Sequence, residues 1–405
     1  MNRRERGAWI LVGLIGLGLG ASTVHRARLR ADGGRERSDL PVYLAGAERV
    51  ARGEDPLGAA SGRGWTYLYP ATLAVLVQPL RPLPPLWAAG VWYALSALAL
   101  GWGILATRRA LGGEGPLDRW ELLALAGLVL PSASALLRGQ VGPLLLGLLG
   151  VALHDLRRGR DLRAGLLISL AAAIKLTPGV LLPGLVAGRR WRALLAALGG
   201  LLLWLLLVPA PFLGFVGAAR SSVGFAQALV LAPARDPQGF VLPGRAPVDP
   251  HIATNQSLAS QVIRRTDPGP PRAALLGALA LLLAPALWLC ARAAPEAGAE
   301  TGAASPRRGE ATSLGLLLAW TLVAAPIAWH HYHPLLAPVL LGLAGPAAQG
   351  ARLARAGLAG FLALSLLHFA VGPLRPWGLL GYGTLLAGAA LALYTARPDT
   401  GEKKS

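Results

Sequence analysis

Leu166-Leu167-Ile168-Ser169-Leu170-Ala171-Ala172-Ala173-Ile174-Lys175-Leu176-Thr177-Pro178-Gly179-Val180-Leu181-Leu182 is the stretch that decides how this chain is read. It lies in an apolar run, 164–187, of the length that crosses a bilayer as helix, about 17–25 residues. Lys175 and Pro178 interrupt it. Proline disfavours helical geometry in the residue before it and removes a backbone donor. The run therefore reads as two short segments meeting near a membrane face. Lys175 itself has two readings: an amine snorkelling to the interface, or a cation facing an anionic group such as a lipid phosphate whose charge grows in a transition state.

Outward from this run the pattern repeats. Candidate membrane segments are 8–24, 67–83, 86–106, 120–137, 141–156, 164–187, 193–213, 272–291, 313–328, 334–347, 356–372 and 378–394. Hydrophobic residues make up 54% of the 405 and charged residues 15%, against about 25% charged in soluble domains. The expected fold class is all-α, a polytopic membrane protein with roughly 11–13 segments of crossing length and two larger outer loops, near 25–66 and 214–271. The composition argues against a soluble enzyme and against a disordered chain. The whole of 1–405 reads as one polytopic domain: a module over 1–215, the second loop over 216–271, C-terminal helices over 272–396 and a polar tail, 397–405. The Ala/Gly/Pro-rich stretch 294–312 reads as a flexible linker.

The net charge is +19, from 39 Lys and Arg against 20 Asp and Glu. The arginines cluster at the ends of apolar runs: Arg3, Arg4 and Arg6; Arg157, Arg158 and Arg160; Arg189, Arg190 and Arg192; Arg307 and Arg308; Arg352 and Arg355. That is the positive-inside pattern of cytoplasmic loops rather than a nucleic-acid surface. The first run, Ala8 to Val24, reads as a retained helix with the N-terminus cytoplasmic. Counting every run as one crossing puts Arg157–Arg163 on the wrong side. Splitting 164–187, or letting 67–83 re-enter, restores the rule and puts the 25–66 loop, Gln140, Lys175, the 214–271 loop and His330–His333 together on the outer face. The single cysteine, Cys290, excludes an internal disulfide and a cysteine-based zinc site.

The scarce polar residues in this setting are the candidates for chemistry. Asp39 stands in Ser38-Asp39-Leu40-Pro41-Val42-Tyr43, within a loop of eight arginines and six acids between His25 and Trp65. It reads either as a solvated acid paired with arginine, or as a general base taking a proton from an acceptor hydroxyl. Arg138-Gly139-Gln140 is a polar break, an ordinary turn or a binding element. Trp329-His330-His331-Tyr332-His333 joins two apolar runs. The aromatic belt accounts for Trp329 and Tyr332, and a rim that binds phosphate or sugar hydroxyls accounts for the histidines. No acidic ligand lies near them in sequence, so no metal is assigned. Asn255-Gln256-Ser257 fits the glycosylation pattern and reads as a polar binding or capping segment. No nucleotide fingerprint is present, and no cofactor is expected.

Taken in order, these pieces resemble glycosyltransferase family 87, polytopic GT-C enzymes related to polyprenyl-phosphate-mannose-dependent mannosyltransferases. The resemblance is carried by Asp39 to Tyr43 with Gly53-Glu54-Asp55-Pro56, Tyr69-Pro70 with Gln78-Pro79-Leu80, Gly139-Gln140-Val141, Ile174-Lys175-Leu176-Thr177-Pro178 with Arg189-Arg190-Trp191, Asn255-Gln256-Ser257-Leu258 and Trp329-His330-His331-Tyr332. Ala71 and Gly142 depart from it, where a second proline and an asparagine are usual. The resemblance implies a site between outer loops and membrane and a polyprenyl-phosphate sugar used with inversion. It implies Asp39 as base, with His330 or His331 lining the donor phosphate or acceptor site. Tyr43, Tyr69, Gln140, Asn255 and Gln256 join Lys175 as substrate- or donor-binding candidates. The expected activity is that of a hexosyltransferase, a mannosyltransferase first, acting on a lipid or glycan hydroxyl at the outer face of the cell membrane. Membrane lipids, the lipid-phosphate donor and that acceptor are the expected partners, and nucleic acid is not. The same hydropathy admits a transporter or lipid flippase, or a non-catalytic membrane scaffold.

Overall fold

The computed structural model describes residues 20–22, 25, 38–62, 65–227, 255–265, 272–293, 306–324 and 328–396. Most of the expected first membrane helix, the tail and the middle of the second loop lie outside them. The described chain is helical, with two isolated β-bridges and no strand. Its helices are α1 (Leu40–Ala51), α2 (Ala71–Leu76), α3 (Pro85–Ala110), α4 (Arg119–Leu137), α5 (Gly142–Arg157), α6 (Asp161–Ile174), α7 (Leu181–Ala187), α8 (Trp191–Leu202), α9 (Ala210–Ala226), α10 (Leu258–Ile263), α11 (Arg272–Arg292), α12 (Pro306–Ala324), α13 (Ala337–Ala348), α14 (Arg352–Ala370) and α15 (Leu379–Thr395).

Among the described residues, α3, α4 and α14 are each long and apolar enough to cross a membrane. A fourth span exists if α8, continued by a π-helical turn to Leu207, and α9 count as one, bent by 110°. The remaining helices are shorter and pack between these. Large apolar side chains on α3 and α8, such as Leu98 and Leu195, are exposed and make an apolar rim of the kind that suits lipid.

The bundle centres on α5. Leu145, Leu146, Leu149, Leu153 and Leu156 are all fully buried on it. It lies against α3 at a distance only glycine allows. A Cβ on Gly103 would sit 2.5 Å from the Leu146 carbonyl oxygen, and one on Gly147 would meet Ala99 at 3.0 Å. Small residues are how membrane helices gain close packing where lipid offers no hydrophobic drive. Gly165 on α6 and Gly200 on α8 repeat the device.

Run 164–187 splits where Lys175 and Pro178 foretell. α6 ends at Ile174, Lys175 is extended (φ −152°, ψ 133°), and Thr177–Val180 forms a 3-10 turn before α7 returns. This split brings the arginines of 157–163 and of 189–192 to one end of the bundle, where Arg190 reaches Asp161. There Arg157 donates to the carbonyl of Arg109, Arg108 grips Glu121 at 2.7 and 3.0 Å, and Arg163 meets the buried Asp155 at 3.0 Å. Arg190 holds Glu310 through two bonds, at 2.7 and 2.5 Å, and reaches Asp161 at 3.5 Å.

Three expected boundaries change. Segment 67–83 is no crossing: it holds only six-residue α2 and a 3-10 turn, Gln78–Leu80, fastened to α1 by Gln78 donating to the Ala47 carbonyl. Its apolar residues, Leu73 and Ala74 among them, are buried against protein. The second loop starts later than 214, because α9 runs to Ala226 and tolerates its bend through Gly214 at φ +69°. The linker ends earlier than 312, because α12 begins at Pro306 and buries Glu310 against Arg190.

Candidate active site

The end of the bundle opposite the arginine clusters collects the scarce polar residues. Asp39 is the residue before α1, yet its carboxylate makes no capping bond to that helix. It receives the Nε2 donor of Gln140 instead. A carboxylate can only accept, so the amide nitrogen must face it. The Asp39 amide donates to the Arg138 carbonyl at 2.8 Å, which pins the first loop to the end of α4.

The turn that aims Gln140 follows from local sequence. Gly139 donates to Leu136 and Gln140 to Ala135, a helix end that requires a left-handed residue. Gly139 supplies it at φ +64°. It also makes room: a Cβ there would stand 2.5 Å from Ser38 Oγ. Trp92 Nε1 donates to the Gly139 carbonyl at 2.8 Å and locks the turn to α3.

Aromatic rings surround the acid. Tyr43, one turn along α1 from Asp39, is fully buried. Its ring packs edge-on against Tyr69 at 5.2 Å and tilts against Trp92 at 5.5 Å. The Tyr43 and Tyr69 hydroxyls are 3.4 Å apart. The Lys175 ammonium lies 3.3 Å from the centre of the Tyr332 ring and 5.7 Å from that of Tyr69. Such a contact holds a cation without neutralising it. The charge of Asp39 reaches Lys175, Tyr69 and Tyr332.

The histidines form the adjoining wall. His330–Leu336 is a 3-10 segment in which His330, His331 and His333 are buried. His331 stacks on Trp329 and meets His330 edge-on at 5.4 Å. His368 of α14 joins them, 5.7 Å from His330 and itself buried. Nδ1 of His330, of His331 and of His368 and Oε1 of Gln140 are buried without a hydrogen-bond partner. Buried polar groups are almost always paired. Single unpaired atoms also stand elsewhere in the described chain, at Thr107, Ser132 and Trp320 for example, but here three lie on imidazoles in ring contact, a concentrated set that a polar ligand would satisfy. Among the described residues no group of three or more His, Cys, Asp or Glu is placed to hold a metal.

Asn255 and Gln256 lie behind this wall and brace it. Asn255 pairs with Trp329 in a β-bridge, and its Oδ1 accepts from the Ala328 amide at 2.9 Å. Gln256 Nε2 donates to the Arg375 carbonyl at 3.0 Å. The structure thus brings Asp39, Tyr43, Tyr69, Gln140, Lys175, His330 and His331 to one end, with Asn255 and Gln256 bracing it. His368 was missed in the sequence because it hides inside an apolar helix. The signal was there: a lone ionisable residue in such a helix carries the same argument as Lys175.

The glycosyltransferase family 87 model matches residues 67–326, more than half of the chain. The chain belongs to glycosyltransferase family 87. As a family 87 member it is a glycosyltransferase with membrane-type helices. No curated protein and no solved structure matches it. The matched stretch contains Tyr69, Gln140 and Lys175 but stops short of Asp39, Tyr43, His330 and His331. The fold joins these four to the family core.

Proposed function

We propose that this family 87 protein is a hexosyltransferase, specifically a mannosyltransferase, that moves its sugar with inversion from a polyprenyl-phosphate donor to a lipid or glycan hydroxyl at the outer face of the cell membrane. The observation that carries the reading is the Asp39 carboxylate, turned from its own helix toward Gln140 and set among aromatic rings beside the Lys175 cation. Asp39 takes the acceptor proton as the hydroxyl attacks the anomeric carbon. The phosphate leaves on the opposite face of the sugar, toward cationic side chains. Donors of this kind stabilise charge that develops only as the bond breaks. Tyr43 and Trp92, both buried, back the partly exposed Tyr69, whose ring is the apolar face that meets the sugar.

The test is transfer of labelled mannose from a polyprenyl-phosphate donor by purified protein and by Asp39→Asn. Loss of a general base costs about 10²–10⁴-fold. Equal rates would remove Asp39 from the chemistry. Transfer from a sugar nucleotide but not from the lipid phosphate would overturn the donor.

A further inference from the structure

We propose that Arg138 is the anchor for the phosphate of the donor lipid, a residue whose guanidinium specifies phosphate over an uncharged headgroup at this site. The assignment rests on the lipid-phosphate donor proposed above and adds a residue that reading does not contain.

The partly buried arginines of the described chain sort by partner. Arg49 reaches Glu54, Arg108 reaches Glu121, and the buried Arg190 reaches Glu310, while Arg157, Arg264 and Arg355 donate to backbone carbonyls. Arg138 is half-buried too, but among the described residues its guanidinium forms no ion pair and no hydrogen bond. Its position is nevertheless fixed. Its carbonyl takes the Asp39 amide at 2.8 Å and the Ser38 hydroxyl at 3.3 Å, and its own amide bonds to Ser134. The backbone of Arg138 is therefore tied to the acid while its charge is left unmatched.

The surroundings identify the missing partner as an anion. The end of α4 packs against the His330–Leu336 segment, and a Cβ on Gly142, four residues on, would meet the His331 carbonyl at 3.1 Å. The positive charge of Arg138 acts on His330 and His331, with Arg375 contributing at His330. The buried, unpartnered Nδ1 atoms of His330, His331 and His368 lie in the same region. Asp39, whose amide is bonded to the Arg138 carbonyl, has its carboxylate held by Gln140. An arginine fork matches the oxygens of a phosphate two at a time, which an ammonium cannot do. Lys175, seated on the Tyr332 ring, is a point charge nearby. The two cations suit different tasks: the fork fixes the phosphate and the ammonium supplements its charge.

The experiment measures binding of farnesyl phosphate and of farnesol to the full chain in lipid nanodiscs, for the parent protein, Arg138→Gln and Arg138→Lys. Expected is a loss of roughly tenfold or more in farnesyl phosphate affinity for Arg138→Gln, from the charged hydrogen bonds removed, with farnesol affinity unchanged. Arg138→Lys keeps the charge and loses the fork, and is expected to fall between the two. Phosphate selectivity that survives both substitutions overturns the role of Arg138 and leaves the donor standing. Equal loss of farnesol and farnesyl phosphate also overturns it, because a merely structural residue would act so. A parent protein that binds the two lipids alike overturns the lipid-phosphate donor itself.

Discussion

Glu310→Ala is expected to be the most destabilising single change at the arginine-rich end. Arg190 and Glu310 are nearly water-free, their side chains 9% and 6% exposed, and are joined by two short bonds. They tie the turn after α7 to α12, two elements far apart in sequence. Removing one partner of such a pair strands the other charge, a loss of about 3–5 kcal/mol. Asp161, 3.5 Å from Arg190 and 16% exposed, still offers the guanidinium a partial partner, which places the expectation near 3 kcal/mol. By the usual 2–4 °C per kcal/mol this lowers the melting midpoint by about 6 °C or more. The chain supplies its own reporter. Cys290 is the single cysteine, is fully buried, and lies within electrostatic reach of Glu310. A thiol-reactive fluorogenic maleimide therefore reads unfolding at that very place. The control is Arg190→Met with Glu310→Met, which strands no guanidinium and leaves only Asp161, 16% exposed and in the first turn of α6, without its long 3.5 Å contact. It is expected to melt within about 1 kcal/mol of the parent. A double variant that melts as low as Glu310→Ala would refute the stranded-charge reasoning. Sugar transfer measured well below the melt should not change, since the pair is at the far end of the bundle from Asp39.

Gln140→Leu should slow transfer roughly 10- to 150-fold, the worth of one hydrogen bond to a charged group of about 1.5–3 kcal/mol; kcat/KM for the lipid donor reads it, and a rate within twofold of the parent would make Gln140 a bystander. Gly150→Ala should push α5 off α3, because the added Cβ meets the Gly103 carbonyl and stands 2.8 Å from Thr107 Oγ1; overpacking of about 1–3 kcal/mol should appear as a lower Cys290-labelling midpoint with transfer retained in the cold.

The sequence was most legible where a polar residue broke an apolar run. Lys175 with Pro178 told of the split between α6 and α7, and that split returns Arg190 to Asp161 at the start of α6. Arg138-Gly139-Gln140 told of a turn, though nothing in it said that Gln140 would face Asp39, a contact between residues a hundred positions apart. It was least legible where apolar residues are buried by protein rather than by lipid. Ala71 to Leu76 has the hydropathy of a membrane segment, but α2 is packed beside α1 and fastened through Gln78. Hydropathy records that a side chain avoids water and not what takes the place of water. Asn255 was legible as a polar capping or binding segment. Its bridge to Trp329 was not, because cross-chain backbone pairing leaves no local pattern.

The separation of the two ends of the bundle also gives the catalyst a direction. The buried ion pairs occupy one end and the acid, its aromatic neighbours and the histidines the other, while the pairs that Arg49, Arg52 and Arg81 make with Glu48 and Glu54, on and just after α1, are exposed. On the lipid-phosphate donor proposed above, the substrate would then meet the acid from one leaflet only. The same donor molecule in the opposite leaflet is chemically identical yet out of reach, and its turnover is governed by how fast something else moves it across. For such an enzyme the effective substrate concentration is a property of one side of a bilayer, and a rate measured in mixed micelles, where sides do not exist, is an upper limit on the rate in a closed vesicle.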